Sequence, residues 1–206
     1  MKGKKHSLVN WVLWIVVLLC LADLVYMTYR KIANGAPDTS KAEISAPKVE
    51  GMVQANLAFV EQKDVLTFEG KQNVDAKTIP WKTNCGIVED TEENLGTCLF
   101  LTPNTAVAFA CSPESMQSLS FDALIYPAVQ SASDGCSLRV QIFSANSEEL
   151  LTDDTLQIAS SETMQTFTVD LSPYAGSNIW VRIACGNGEN NNDDGDWLFF
   201  TNCAIR

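Results

Sequence analysis

The sequence predicts an all-β domain of two packed sheets, carried behind a single transmembrane helix. Three observations predict it. Residues 8–29, LVNWVLWIVVLLCLADLVYMTY, form an apolar run of membrane-spanning length. Beyond it, short segments alternate apolar and polar residues with a period of two, the mark of half-buried antiparallel strands. No later segment carries helical periodicity of globular length, and residues 52–61 are the best candidate for one short helix.

Residues 1–31 are expected to form a cytoplasmic tail and anchor. As a helix, the run from 8 to 29 reaches about 33 Å, enough for a bilayer core of about 30 Å. Trp11, Trp14, Tyr26 and Tyr29 lie towards its ends, where amphipathic rings favour the headgroups. Lys2, Lys4 and Lys5 precede the run, and Arg30 and Lys31 follow it. The balance slightly favours a cytoplasmic amino terminus and an extracytoplasmic carboxy-terminal domain. The rival reading is a cleaved signal peptide. No small-x-small site follows, because Cys20 and Leu21 precede Ala22 and the apolar run resumes after Asp23. Near the outer end the Asp23 carboxylate reaches the interface; pairing with another subunit's helix is its alternative role. Residues 32–56, with Gly35, Pro37 and Pro47 among small and charged residues, read as a linker.

Residues 57–206 are then the sandwich. VLTFEG (65–70), GTCLFLT (96–102) and NTAVAFAC (104–111) read as its early strands. Leu119, Phe121, Ala123 and Ile125 alternate with Ser120, Asp122, Leu124 and Tyr126. The same period runs through Leu138, Val140 and Ile142, through Phe167 and Val169, and through Ile179, Val181 and Ile183. SASDG (131–135) and SPYAGSN (172–178) supply turn residues between them. Seven to nine such strands in one domain favour two sheets over one.

Residues 51–206 hold 7 basic against 21 acidic side chains. So negative a surface repels nucleic acid and anionic lipid headgroups. Six of the seven cysteines, Cys85, Cys98, Cys111, Cys136, Cys185 and Cys203, fall in this part. An even number outside the membrane suits disulfides. Local loop closure suggests Cys85–Cys98, Cys111–Cys136 and Cys185–Cys203, among fifteen complete pairings. There is no CxxC pair, and His6, the one histidine, precedes the anchor. Zinc sites of the usual motifs and Ser-His-Asp or Cys-His catalysis are thereby excluded within the domain. GxSxG, P-loop, HExxH and Rossmann patterns are also absent.

The final third has a distinctive order. Val169-Asp170-Leu171-Ser172 and Tyr174-Ala175-Gly176 lead into Ile179–Ile183, then an acidic loop, Asp196-Trp197 and Ile205. This resembles the closing strands of galactose-binding-domain-like jelly rolls, the broad group that contains many carbohydrate-binding modules. The resemblance is clear over residues 167–205 and implies a jelly-roll β-sandwich. It carries over a fold far better than a ligand. Leu171 is expected to plug the end of the sandwich, and Asp170 to cap its turn.

Two binding sites are expected. Modules of the resembled group often hold a structural calcium. The loop from Gly188 to Asp196 concentrates oxygen ligands, with Asn190, Asn192, Asp194 and Asp196 as candidates and Glu69 or Asp64 as an added acid. Thr201 stands where an EF-hand would place its bidentate Glu, so the loop is not one. The second site is a polar-aromatic sheet surface of Asp122, Tyr126, Arg139, Gln141, Phe143, Trp180 and Arg182, formed if their strands are neighbours. Trp can stack on a sugar ring, while Asp, Gln and Arg match its hydroxyls. Trp81, Trp197 and Asn84 offer a further edge patch. The sequence thus points to a non-catalytic, membrane-anchored, carbohydrate-binding-like module, or an accessory subunit of a cell-envelope complex. Its partners would be the bilayer and a glycan or an envelope protein. The alternative is a purely structural or protein-interaction subunit of a membrane or surface assembly.

Overall fold

The structure, a computed structural model, describes residues 45–72, 84–161 and 163–206. The predicted tail and anchor, most of the linker, and Trp81 lie outside the described residues. Among those described, no helix is long and apolar enough to cross a membrane.

Among the described residues, eleven strands form two sheets, in a jelly-roll sandwich. They are β1 (Thr67–Glu69), β2 (Lys71–Gln72), β3 (Asn84–Asp90), β4 (Gly96–Leu101), β5 (Thr105–Cys111), β6 (Ser118–Ile125), β7 (Cys136–Ser144), β8 (Leu150–Ile158), β9 (Gln165–Asp170), β10 (Ile179–Asn187) and β11 (Leu198–Ile205). One sheet has the order β1-β5-β10-β7-β8, the other β2-β3-β4-β11-β6-β9. Every pairing of these strands is antiparallel except the short β2–β3 contact.

Alternation decides the faces. Val107 and Phe109, Ile179, Val181 and Ile183, and Leu138, Val140 and Ile142 point from the five-stranded sheet into the core. Leu99, Leu101, Leu119, Phe121, Ile125 and Phe200 meet them from the six-stranded sheet. Removing this much apolar surface from water is the main force holding the sheets together. Leu171 is fully buried at the end of the sandwich, as expected. Asp170 caps its turn by accepting from the Ser172 amide at 2.9 Å and hydroxyl at 2.6 Å.

Four features depart from the sequence reading. The short helix is a 3-10 helix at Phe59–Val65, not at 52–61. The predicted linker's last residues join the domain: the Val53 amide donates to the Ala110 carbonyl at 2.8 Å, and Val53 is buried. Strands β2, β3 and β8 have no counterpart in the reading. In β8 the consecutive Asp153 and Asp154 break the alternation. Finally, the six-stranded sheet buries part of its outer face as well. Val88, Cys98, Phe100, Leu124, Tyr126, Trp197 and Phe199 form a second apolar cluster there.

Candidate functional site

The outer face of the five-stranded sheet carries five of the predicted surface residues. On β10, Arg182 lies opposite Gln141 of β7 and Ala108 of β5, and Trp180 lies opposite Phe143. On β8, Asp153 lies opposite Gln141, and Thr155 opposite Arg139. Alternation therefore brings Arg139, Gln141, Trp180 and Arg182 to one surface, with Phe143 buried on the same face. Small residues at Ala106, Ala108 and Ala184 keep its floor low. A concavity of about 410 Å³ opens there, lined by Asn104, Ser137, Arg139, Thr155, Arg182 and Gly186.

Both guanidinium groups are held. Arg182 donates from Nε to the two Glu69 carboxylate oxygens at 2.9 and 3.0 Å, and from Nη2 to Oε2 at 2.6 Å. Its Nη1 donates to Gln141 Oε1 at 2.9 Å. Arg139 grips Asp153 in a two-point pair, with Nε to Oδ1 at 2.6 Å and Nη2 to Oδ2. The Arg139 hydrogen bonds hold the Asp153 carboxyl below the usual carboxylate range. Gln141 is only 1% exposed, and its Nε2 has no partner within hydrogen-bond distance. Its amide nonetheless faces Asp153 and adds to the lowering there. Such a surface offers fixed donors and acceptors rather than a net charge.

The structure does not bring Asp122 and Tyr126 to this surface, because β6 belongs to the other sheet. Asp122 accepts there from Thr166 Oγ1 at 2.6 Å and Asn202 Nδ2 at 2.7 Å. Tyr126 is buried between Trp197 and Phe199, at ring separations of 6.2 and 4.7 Å, and donates its hydroxyl to Asp90 Oδ1 at 3.0 Å. Trp197 is consequently packing, and Asn84 is buried beside Thr102. The edge patch with Trp81 therefore loses these two members to the interior.

The acidic loop after β10 is organised from its base. Among the predicted ligands, only Asp196 is fully buried. It accepts from Ser133 Oγ at 2.6 Å, and from the Gly188 amide at 3.4 Å. Burial, reinforced by the Asp134 and Asp193 charges, pushes its carboxyl up. Asn192 Oδ1 is occupied by the Asp194 amide at 2.8 Å, and Asp194 is exposed. Asn190 contributes its backbone amide, donating to Asp134 Oδ2 at 2.8 Å. Glu69 is taken by Arg182, and Asp64 is exposed on the 3-10 helix.

Two acceptors that sequence reasoning missed complete this base. Asp134 Oδ1 and Asn187 Oδ1 are buried and have no hydrogen-bond partner. A Cβ on Gly188 would stand 2.3 Å from Asp134 Oδ1, so only glycine fits beside it. Among the described residues no three carboxylate, imidazole or thiol groups converge. The oxygens at hand, two carboxylates and a side-chain amide, suit calcium and not zinc. Asp134 sits in the SASDG turn, far from the loop in sequence, and its spacing gave no sign of this.

The six described cysteines are all buried, and the sheet registers correct the expected pairings. Cys85 faces the inner core while Cys98 faces the outer cluster. Cys111 lies opposite Ile179 and Cys136 opposite Asn187, at the two ends of β10. Those ends are about 27 Å apart at the rise of a strand. Cys185 lies opposite Thr105, near the start of β11, whereas Cys203 follows the bulge at its far end. Loop closure in sequence misled because cysteines close in sequence stand on opposite faces, as Cys85 and Cys98 do, or at opposite ends of the strands, as Cys111 and Cys136 do.

No family model matches the chain, and no curated protein matches it. Its fold is similar to that of several solved structures. One is TmCBM61 in complex with β-1,4-galactotriose, 10% identical, covering 75% of this chain and 99% of that one, TM-score 0.48. Another is CBM51 from Clostridium perfringens GH95 in complex with methyl-galactose, 9% identical, covering 80% and 96%, TM-score 0.39. A third is the CBM22-1 and GH10 pair of Clostridium thermocellum xylanase 10B with xylohexaose, 9% identical, covering 79% of this chain but 28% of that one, TM-score 0.43. At these identities and scores the likeness says nothing of what this chain binds.

Proposed function

We propose that the chain is a non-catalytic glycan-binding module, tethered to a membrane through residues 8–29, with its ligand on the outer face of the five-stranded sheet. One observation carries the reading. A concavity of about 410 Å³, within the size range of small-molecule sites, is lined by polar groups that Glu69, Asp153 and Gln141 fix in place. Because both arginines are already neutralised, the surface suits neutral hydroxyl-rich ligands. Half-buried Trp180 on the same face offers an edge for a sugar ring. The tether rests on the length and apolarity of residues 8–29.

A glycan array probed with the full chain in detergent tests this. Saturable binding to neutral glycans is expected. Trp180→Ala should weaken it roughly fivefold, for about 1 kcal/mol of ring contact, with circular dichroism unchanged. An array blank for every glycan would reject the reading. Calcium is a separate part of the proposal: Asp134, Asn187 and Asp196 would hold it, and it would brace the loop without taking part in recognition. A hundredfold excess of calcium over its Kd should stabilise the fold by about 2.7 kcal/mol. That corresponds to a rise in Tm of roughly 5 to 11 °C, and no rise in millimolar calcium would remove the ion from the proposal.

A further inference from the structure

We propose that Cys136 and Cys185 are joined as a disulfide when the domain stands in an oxidising compartment, cross-linking β7 to β10 at the base of the acidic loop. The two strands are neighbours, with Leu138 opposite Cys185 and Cys136 opposite Asn187. The cysteines are therefore diagonal partners on one face, the inward one. They are 1% and 3% exposed, and the Cys136 thiol lies against that of Cys185. Every pairing suggested by loop closure is blocked by face or by distance along the strands. This pair is blocked by neither.

Diagonal residues across an antiparallel pair stand about 7 to 8 Å apart at Cα, slightly beyond the usual disulfide span of up to about 6.8 Å. The strand ends here can close that gap. Cys136 is the first residue of β7 and follows Gly135, whose φ is +102°, and Gly186 follows Cys185. Reagent access comes through Cys136, which borders a hollow of about 320 Å³ beside Asp134 and Gly188.

The chemistry needs one oxidant, a low-molecular-weight disulfide such as oxidised glutathione. One cysteine, as thiolate, attacks it, forms a mixed disulfide and releases one glutathione thiol. The second cysteine, also as thiolate, attacks the mixed disulfide at the protein sulfur and releases the other. Two protons and two electrons leave the pair, and the oxidant becomes two thiols. The bond would tie together the segments that carry Asp134, two residues before Cys136, and Asn187, two residues after Cys185.

The test is thiol mapping of the full chain in detergent. The protein is equilibrated with oxidised and reduced glutathione, quenched in acid, denatured, alkylated, digested and mapped by mass. The peptides holding Cys136 and Cys185 should be recovered joined, two hydrogens lighter than the dithiol pair. Cys85, Cys98, Cys111 and Cys203 should be alkylated. In Cys185→Ala, Cys136 should be recovered alkylated. Full alkylation of Cys136 and Cys185 in the wild type would overturn the proposal. So would either of them joined to another cysteine, or left as a stable glutathione adduct.

Discussion

Replacing Gln141 with Leu should separate stability from binding, because two opposed costs meet in one buried amide. Gln141 Oε1 accepts from Arg182 Nη1 at 2.9 Å, while Nε2 faces Asp153 without a hydrogen bond of normal geometry. Losing a hydrogen bond to a charged donor costs about 1.5 to 3 kcal/mol, and relieving a buried unpaired N–H returns about 1 to 3. The two nearly cancel, so Gln141→Leu should shift Tm by no more than about 4 °C. Arg182→Met behaves differently. It leaves the Gln141 carbonyl buried with no donor, at about 1 to 3 kcal/mol. Glu69, whose side chain is 39% exposed, adds little because water solvates it. In the Gln141→Leu background that orphan no longer exists. The double-mutant cycle should therefore show a coupling of about 1 to 2 kcal/mol, read by urea unfolding of the full chain at neutral pH. Glycan affinity should fall in both single variants, since one loosens the guanidinium from its hold and the other removes it. Strict additivity in the cycle would refute the coupling through Gln141 Oε1, and a loss above about 3 kcal/mol for Gln141→Leu would refute the cancellation by showing that Nε2 has a strong partner.

Gly188→Ala should destabilise the fold by about 2 kcal/mol, lowering Tm by roughly 4 to 8 °C. Its Cβ would meet the Gly135 carbonyl oxygen at 2.5 Å, and backbone cannot retreat cheaply; an unchanged melting curve would show that this region yields. The acid limb of the stability profile should soften in Asp122→Asn. Hydrogen bonds from Asn202 and Thr166 hold that carboxyl below its ordinary value of 3.8. A carboxylate lowered by folding adds stability above its unfolded value, and that gain is lost as pH falls through the folded one. Wild type should thus lose stability more steeply than the variant below about pH 4, and parallel acid limbs would count against the bonds. Asp153→Asn should behave alike, for loss of the Arg139 pair.

The inner faces of β6, β7 and β10 were legible because their apolar residues recur with a period of two. In β10 every second residue, from Ile179 to Cys185, is buried. The alternating segments at 119–126, 138–143 and 179–184 correspond to β6, β7 and β10 with small shifts at their ends. Legibility failed where both faces of a strand are covered or neither is. Strand β4 buries Cys98 through Leu101 without a break, because Phe100 packs on Phe199 at a ring separation of 5.0 Å outside the main core. Strand β8 is the opposite case. It is an edge, mostly solvated, and Asp154 stands opposite core residue Val140 without being buried. A charge at an inward position of an edge strand discourages pairing with another chain, and it also erases the pattern by which a strand is recognised.

The candidate site exposes a different limit. Alternation told which side chains leave the core, and it was right that Asp122, Arg139, Gln141, Trp180 and Arg182 all do so. It could not tell which outward side chains share a sheet, because that depends on strand order. Arg182 meets Gln141 across 41 residues of sequence and Glu69 across 113. Asp122 has the right parity on the wrong sheet. Tyr126 has it where the outer face is itself covered, so its ring became packing. The same gap explains the cysteines, since only strand register separates Cys85 from Cys98, and only strand order sets Cys136 beside Cys185. It also hid Asp134. A turn residue with no periodicity becomes an acceptor at the loop base only because the turn before β7 and the loop after β10 emerge side by side. In a sandwich of this kind, sites are assembled by neighbours in a sheet, and residues adjacent in sequence are mostly sent to opposite faces.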